Sequence, residues 1–182
     1  MLSTQAASVL PGGLQTLFPY KAFKKCITTW AEQCDSICAP GSHSHGQNND
    51  AADAAQLQRQ QQLAACQREL LRMLSAELQR LNNTLIEREE LLVMSWQVLE
   101  EAAHAMQPQS QQPSVDHQHL QDLLQLLVNF HGDAVMLLNW SHVNFSAVVK
   151  ALKKFDKRTG SCLRTPLVQR IVCQVSCGHR CI

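Results

Sequence analysis

No apolar run in this chain reaches the roughly 18–20 residues that a bilayer-crossing helix needs, so a membrane span is not expected. The start, Met1-Leu-Ser-Thr-Gln, has no basic stretch followed by a hydrophobic one, so a secretory signal is not expected either. The first 31 residues contain no acid, as a transit peptide would, but they contain no arginine, and transit is not expected. Glycine is sparse, at 7 of 182 residues, and there is no GxGxxG, no phosphate-cradling loop, no glycine-punctuated alternation of strands and no internal repeat. A nucleophile motif and a carboxylate pair are also missing. His131 and Asp133 read as capping or interhelical polar contacts, and Ser141-His142 has no acid with a reason to lie beside it. The chain is therefore not expected to be an enzyme.

With 182 residues the chain can build one domain with a real core but hardly two. A net charge of +1 supplies no global field towards nucleic acid or membrane. The charge is nevertheless uneven. From Asn144 to Arg170 four Lys and three Arg stand against Asp156 alone, whereas from Gln67 to Glu101 seven Glu face four Arg. The positive character is a patch, and a patch suits a compact anionic partner. No interleaved aromatic or arginine-rich reader of nucleic acid accompanies it. Eight cysteines without an export signal read as reduced thiols of the cytosol or nucleus.

Hydrophobic periodicity predicts helices throughout. Residues 9–38 read as a short hairpin with Leu14, Leu17, Phe18, Phe23, Ile27 and Trp30 as its apolar material, followed by a linker over about 39–55. One long helix is predicted from Gln56 to Met106, with Leu70, Leu74, Leu78, Leu81 and Leu85 at steps of 4, 4, 3 and 4 and the stripe continued by Leu92, Trp96 and Leu99. A glutamine-rich linker over 107–116 leads to a leucine-dense helix, His117–Trp140, whose apolar run is wide enough for the middle of a bundle. After Ser141-His-Val-Asn144 a separate lysine helix is predicted, and a last short helix opens at Thr165-Pro166, a capping residue before a proline.

The lysine helix is Asn144-Phe-Ser-Ala-Val-Val-Lys-Ala-Leu-Lys-Lys-Phe-Asp-Lys-Arg-Thr-Gly160. Lys150, Lys153, Lys154 and Lys157 share one face, while Val148, Leu152 and Phe155 form another. Asn144 or Ser146 can cap its start, and Gly160 can supply the left-handed residue that stops it. Four ammonium groups on one face repel one another by a few tenths of a kcal/mol per pair, an arrangement suited to a polyanion.

Together with Phe18-Pro-Tyr-Lys-Ala-Phe-Lys-Lys25, Leu126-Leu-Val-Asn-Phe-His-Gly-Asp-Ala-Val-Met-Leu-Leu-Asn-Trp140 and the stretch from Lys150 to Arg170, this segment resembles the SPX domain, and most of all the stand-alone SPX proteins of plants and algae. The match runs from about Leu120 to Gln174 and, more briefly, from Val9 to Lys25. The resemblance implies an all-α fold, an N-terminal helical hairpin packed on an elongated three-helix bundle with a short C-terminal helix. It implies a single domain over 1–174 and leaves 175–182 as a disordered tail. It also implies a surface that binds inositol polyphosphates and pyrophosphates, made here by Tyr20, Lys24, Lys25, Lys150, Lys153, Lys154 and Lys157, with no cofactor and no metal. Lys21 falls where the family is tolerant.

The function so implied is that of a phosphate-status sensor in the nucleus or cytoplasm. Its ligand is an inositol pyrophosphate, and its partner is the coiled coil of a MYB-type phosphate-starvation transcription factor. Direct binding to nucleic acid or membrane is not implied. Two departures stand out. The family's usual Met-Lys-Phe-Gly-Lys start is Met1-Leu-Ser-Thr-Gln here, and the end, Val175-Ser-Cys-Gly-His-Arg-Cys-Ile182, looks like a truncated or alternatively processed one. Cys173, Cys177 and Cys181 at equal spacing, with His179 among them and Cys34, Cys38, His43 and His45 elsewhere, do not make the paired knuckles of a zinc site, and no RING spacing is present. The alternative functions are a ligand-free helical scaffold using Leu70 to Trp96 as a coiled-coil interface, or a regulatory module acting on phosphate transport or polyphosphate synthesis.

Overall fold

The computed structural model describes residues 17–37, 49–106 and 117–177, with side chains described from 53 and up to 171 in the last two stretches. These residues form four helices and no strand: α1 (Tyr20–Ser36), α2 (Asn49–Ala105), α3 (His117–Thr159) and α4 (Arg164–Cys177). The fold is all-α. The first arm of the expected hairpin and the tail beyond Cys177 lie outside the described residues, as does the 107–116 linker.

Two compact units divide the chain, Phe18–Leu78 with Phe145–Ile182, and Met1–Leu17 with Gln79–Asn144. In the first, α1 contributes Phe23, Ile27, Ala31 and Cys34, α2 contributes Cys66, Leu70 and Leu74, and α3 contributes Val148, Ala151, Leu152 and Phe155, all buried. Their steps of three and four residues lay one stripe of each helix against the others. Phe18 closes the end of this core, its ring 4.6 Å from that of Phe23. Cys34 and Cys66 are free, buried thiols. Burial pushes the Cys66 thiol up to about 11, and the adjoining Cys34 adds to the rise.

The second unit is thinner. Trp96 of α2 packs on Phe130 of α3 at 5.5 Å between rings. Leu99, Ala103 and His104 line one cleft with Leu123 and Leu127. As α2 advances its α3 neighbours recede, so the two helices run antiparallel within this unit. Leu81, Leu99, Leu137 and Trp140 are its buried apolar residues.

Four expectations are corrected. The long helix takes in Asn49–Ala55, which had the look of linker, because its four alanines favour helix and its two aspartates stand near the positive N-terminal end. α3 is one helix from His117 to Thr159, with no break at Ser141–Asn144. Asn144 does not cap a new start; it is buried inside the helix, and its amide Nδ2 donates to the Trp140 carbonyl at 2.9 Å. Nothing in Ser-His-Val-Asn removes a backbone donor or forces a positive φ, so the helix runs on. The Thr165-Pro166 pair does not open α4, which starts at Arg164. Both oxygens of Asp156 serve that role, accepting the N–H groups of Leu163 and Arg164 at 2.9 Å each. Finally, Leu70, Leu74 and Leu81 are buried within the chain, so they do not offer the coiled-coil interface of the scaffold reading.

Gly160 ends α3 as expected. It sits at φ +70°, where only glycine is unstrained, and its N–H donates to the Asp156 carbonyl at 2.9 Å. The turn is then held to α2, with the Gln67 amide donating to the Ser161 hydroxyl at 3.1 Å and Thr159 donating to the same oxygen at 2.8 Å.

Candidate anion-binding site

The start of α1 has no acidic residue in its first turn and no side-chain cap. Pro19, in front of it, fixes its own φ at −78° and offers its carbonyl to the N–H groups of Ala22 (3.0 Å) and Phe23 (3.2 Å). The positive end of the helix dipole is therefore left without an internal counter-charge. Tyr20 and Lys24, one turn apart, lie along one edge of the buried stripe; Tyr20 is half-buried and Lys24 exposed. Lys25 is exposed but lies about 100° further round the helix than Lys24.

On α3 the buried stripe Val148, Ala151, Leu152 and Phe155 fixes the rotation of the helix and turns Lys150, Lys153 and Lys157 to solvent. Lys154 is half-buried at the margin between the two faces. Its ammonium is held below the usual lysine range, chiefly by partial burial, then by the positive charges of Lys24 and of Arg158. Lys24 of α1 and Lys154 of α3 therefore feel each other, although 130 positions separate them. Arg158, one turn after Lys154, joins this group and is not among the expected site residues. Its only sequence signal is the i, i+4 spacing, which many surface cations share.

Asp156 is the only acid between Asn144 and Arg170, and both its oxygens are occupied by α4 backbone donors. Among the described residues no carboxylate pairs with Lys24, Lys150, Lys153, Lys154 or Lys157. Such a face has donors and charge to offer and little to satisfy them internally. A charge-assisted bond from each well-placed ammonium is worth about 1.5–3 kcal/mol, so a ligand carrying several phosphates gains from every one it reaches. Of the expected residues, the structure brings Lys24 and Lys154 together, aligns Tyr20 with Lys24, sets Lys150, Lys153 and Lys157 on the solvent face of the same helix as Lys154, and turns Lys25 aside.

Among the described residues no cluster of three His, Cys, Asp or Glu could hold a metal, and no helix is long and apolar enough to cross a membrane. The side chains of Cys173, Cys177 and Cys181, with Cys38, His43 and His45, lie outside the described residues.

No family model matches the chain, and neither does any solved structure. Curated relatives do. SPX domain-containing protein 1 of Oryza sativa is 35% identical over 105 residues, which cover 57% of this chain and 34% of the relative. SPX domain-containing protein 4 of the same species is 38% identical over 103 residues, 54% of this chain and 32% of the relative. SPX domain-containing protein 2 of Arabidopsis thaliana is 26% identical over 174 residues, 94% of this chain and 55% of the relative. The chain thus spans between about a third and just over half of the length of these proteins. Their agreement bears out the resemblance: the chain is similar to the SPX domain-containing proteins of rice and Arabidopsis.

Proposed function

We propose that this chain is a non-enzymatic sensor of cellular phosphate status that binds an inositol polyphosphate or pyrophosphate on the face made by Tyr20, Lys24, Lys150, Lys153, Lys154 and Lys157. The observation that carries this reading is the approach of Lys24 on α1 to Lys154 on α3, on a face without a carboxylate partner. A ligand bridging them would neutralise the repulsion and fix α1 against α3. The surface so ordered is the one offered to a protein partner, for which the coiled coil of a MYB-type transcription factor is the reading that the family resemblance supplies. Ligand and partner would then strengthen each other's binding by the same factor. Activity in the nucleus or cytoplasm accords with the free thiols.

Calorimetric titration of the purified chain with inositol hexakisphosphate and with a pyrophosphorylated analogue, at two salt concentrations, tests the ligand. The expected result is saturable binding that weakens at the higher salt as the charges are screened. The partner is tested by capture of a coiled-coil segment with and without ligand, using the native chain and a Lys150/Lys153/Lys154/Lys157→Ala variant. Capture that is equal in all four conditions would refute the sensor.

A further inference from the structure

α3 carries two helical seams, and only one of them is used within the described fold. Over residues 123–144 the inward seam is Leu123, Leu126, Phe130, Asp133, Leu137, Trp140 and Asn144, half-buried or buried at every position. The second is Leu124, Val128, His131, Val135, Leu138 and His142, with steps of 4, 3, 4, 3 and 4 on the opposite face. Leu124 is 51%, Val128 63%, Val135 41% and Leu138 70% exposed, and both histidines are exposed as well. Alternating steps of three and four over 19 residues are the spacing of a coiled-coil seam, here about 28 Å long. Four of its six positions are apolar, while the exposed Met136 and Val143 lie outside it.

We infer that this outer seam pairs with the same seam of a second copy of the chain, making a parallel, in-register dimer through α3. Three observations select this occupant. Val128 and Val135 fall at one position of the heptad, with Leu124 and Leu138 at the other, and β-branched residues alternating with leucine in this way favour two parallel strands. The positions beside the seam, Leu120, Gln125, Leu127, Gly132, Ala134, Asn139 and Ser141, carry no charge. Two identical copies therefore meet without like-charge opposition, and a foreign helix would find no charge there to select it. Gly132 and Ala134 are small, and a Cβ built at Gly132 would meet nothing within 4 Å, which leaves room for a second backbone to come close. His131 lies in mid-seam, facing its own counterpart, where a polar residue fixes register at a cost in affinity.

Self-association of this kind does not depend on the lysine face, so it is tested in buffer free of any inositol phosphate. Sedimentation equilibrium of the full chain over about 1–100 µM, which spans two decades of dissociation constant, is run with a thiol reductant because Cys162 is exposed. A monomer–dimer equilibrium is expected. The double substitution Leu124→Glu/Leu138→Glu should raise its dissociation constant at least a hundredfold with helicity unchanged. His131→Leu should lower it, and Leu57→Glu, 56% exposed in the other unit, should not move it. A monomer at every concentration overturns the inference, as does a dimer that ignores Leu124→Glu/Leu138→Glu or that His131→Leu fails to tighten. Two results would name a different occupant and overturn it equally. One is a lower melting midpoint of the monomeric double variant, which means the seam is covered by the chain's own residues. The other is co-sedimentation with phosphatidylcholine vesicles that the double variant loses.

Discussion

The two units of this chain are built from the same two long helices but hold themselves together very differently. Among the described residues, twelve of the sixteen buried apolar side chains belong to the unit that contains α1 and α4, and only four to the other. The exposed large apolar residues divide the opposite way, three against fourteen. The cause is the number of helices each unit brings to a core. With α1 wedged beside α2 and α3, an apolar stripe on each is enclosed, whereas two helices alone can cover only the faces they turn to each other. Charge follows the same division. In their described residues the first unit has thirteen Lys and Arg against seven Asp and Glu, and the second has two against seven. A stable frame with surplus positive charge is the property a polyanion site needs, because ammonium groups that repel one another must be held by something else.

The sharpest way to break this comparison is to empty the better core. Phe155→Ala or Ile27→Ala, each at a side chain with no exposure at all, should destabilise the chain by about 3–5 and about 2–5 kcal/mol respectively. Trp96→Ala, at a ring that is 49% exposed in the other unit, should cost clearly less, since half its surface is already in water. Urea denaturation followed by far-ultraviolet dichroism measures all three. Equal losses would mean that the second unit contributes as much stability as the first, and the contrast drawn here would fail.

Function should respond in the reverse sense to structure. Lys154→Ala should weaken inositol hexakisphosphate binding at least tenfold, about 1.4 kcal/mol, in a calorimetric titration. The melting midpoint should hold or rise slightly, because the substitution removes a half-buried charge repelled by Lys24 and Arg158. Unaltered affinity in a folded variant would remove Lys154 from the site. Asp156→Ala should do the opposite. Loss of the two bonds that start α4 should cost about 1 kcal/mol of stability. Ligand affinity should not fall, since the carboxylate only subtracts from the positive face.

Much of this arrangement is legible in the sequence, for reasons that differ from element to element. The inward stripes at Leu70 and Leu74 and at Val148, Leu152 and Phe155 can be read because helical period is written into neighbouring residues. The stop at Gly160 can be read because a left-handed residue demands glycine. The continuity of α3 through Ser141–Asn144 cannot, since polar residues break helices in some settings and in others bond back to their own backbone, as Asn144 does. Neither can the capping of α4, because the Asp156 carboxylate meets its two N–H donors across a turn that contains Gly160. The approach of Lys24 to Lys154 is a tertiary fact, available beforehand only through resemblance to a family. The outer seam of α3 is legible as an apolar run too wide for one partner, but which side would stay open depends on how the inner one packs.

The finest test of the lysine face is a proton count. Partial burial and the charges of Lys24 and Arg158 hold the Lys154 ammonium below its ordinary value. Between that lowered value and the usual lysine range the folded chain holds fewer protons at this site than the unfolded one, so this group's contribution makes stability rise with pH in that window. A polyanion reverses the effect, since its charge favours the ammonium and brings the value back up. Binding at alkaline pH should therefore take up protons, by less than one per ligand at this site, and binding near neutrality, where Lys154 is already charged, should take up almost none there. The quantity is measured by titrating inositol hexakisphosphate into the chain in two alkaline buffers of different ionisation enthalpy, with correction for the ligand's own titration. Lys154→Ala should lose part of the uptake and Lys25→Ala should keep it, because Lys25 lies round the helix from the Lys24–Lys154 approach. Equal uptake in the native chain and the Lys154→Ala variant would mean that the ligand does not reach Lys154. The face would then have to be drawn around the exposed Lys150, Lys153 and Lys157 alone.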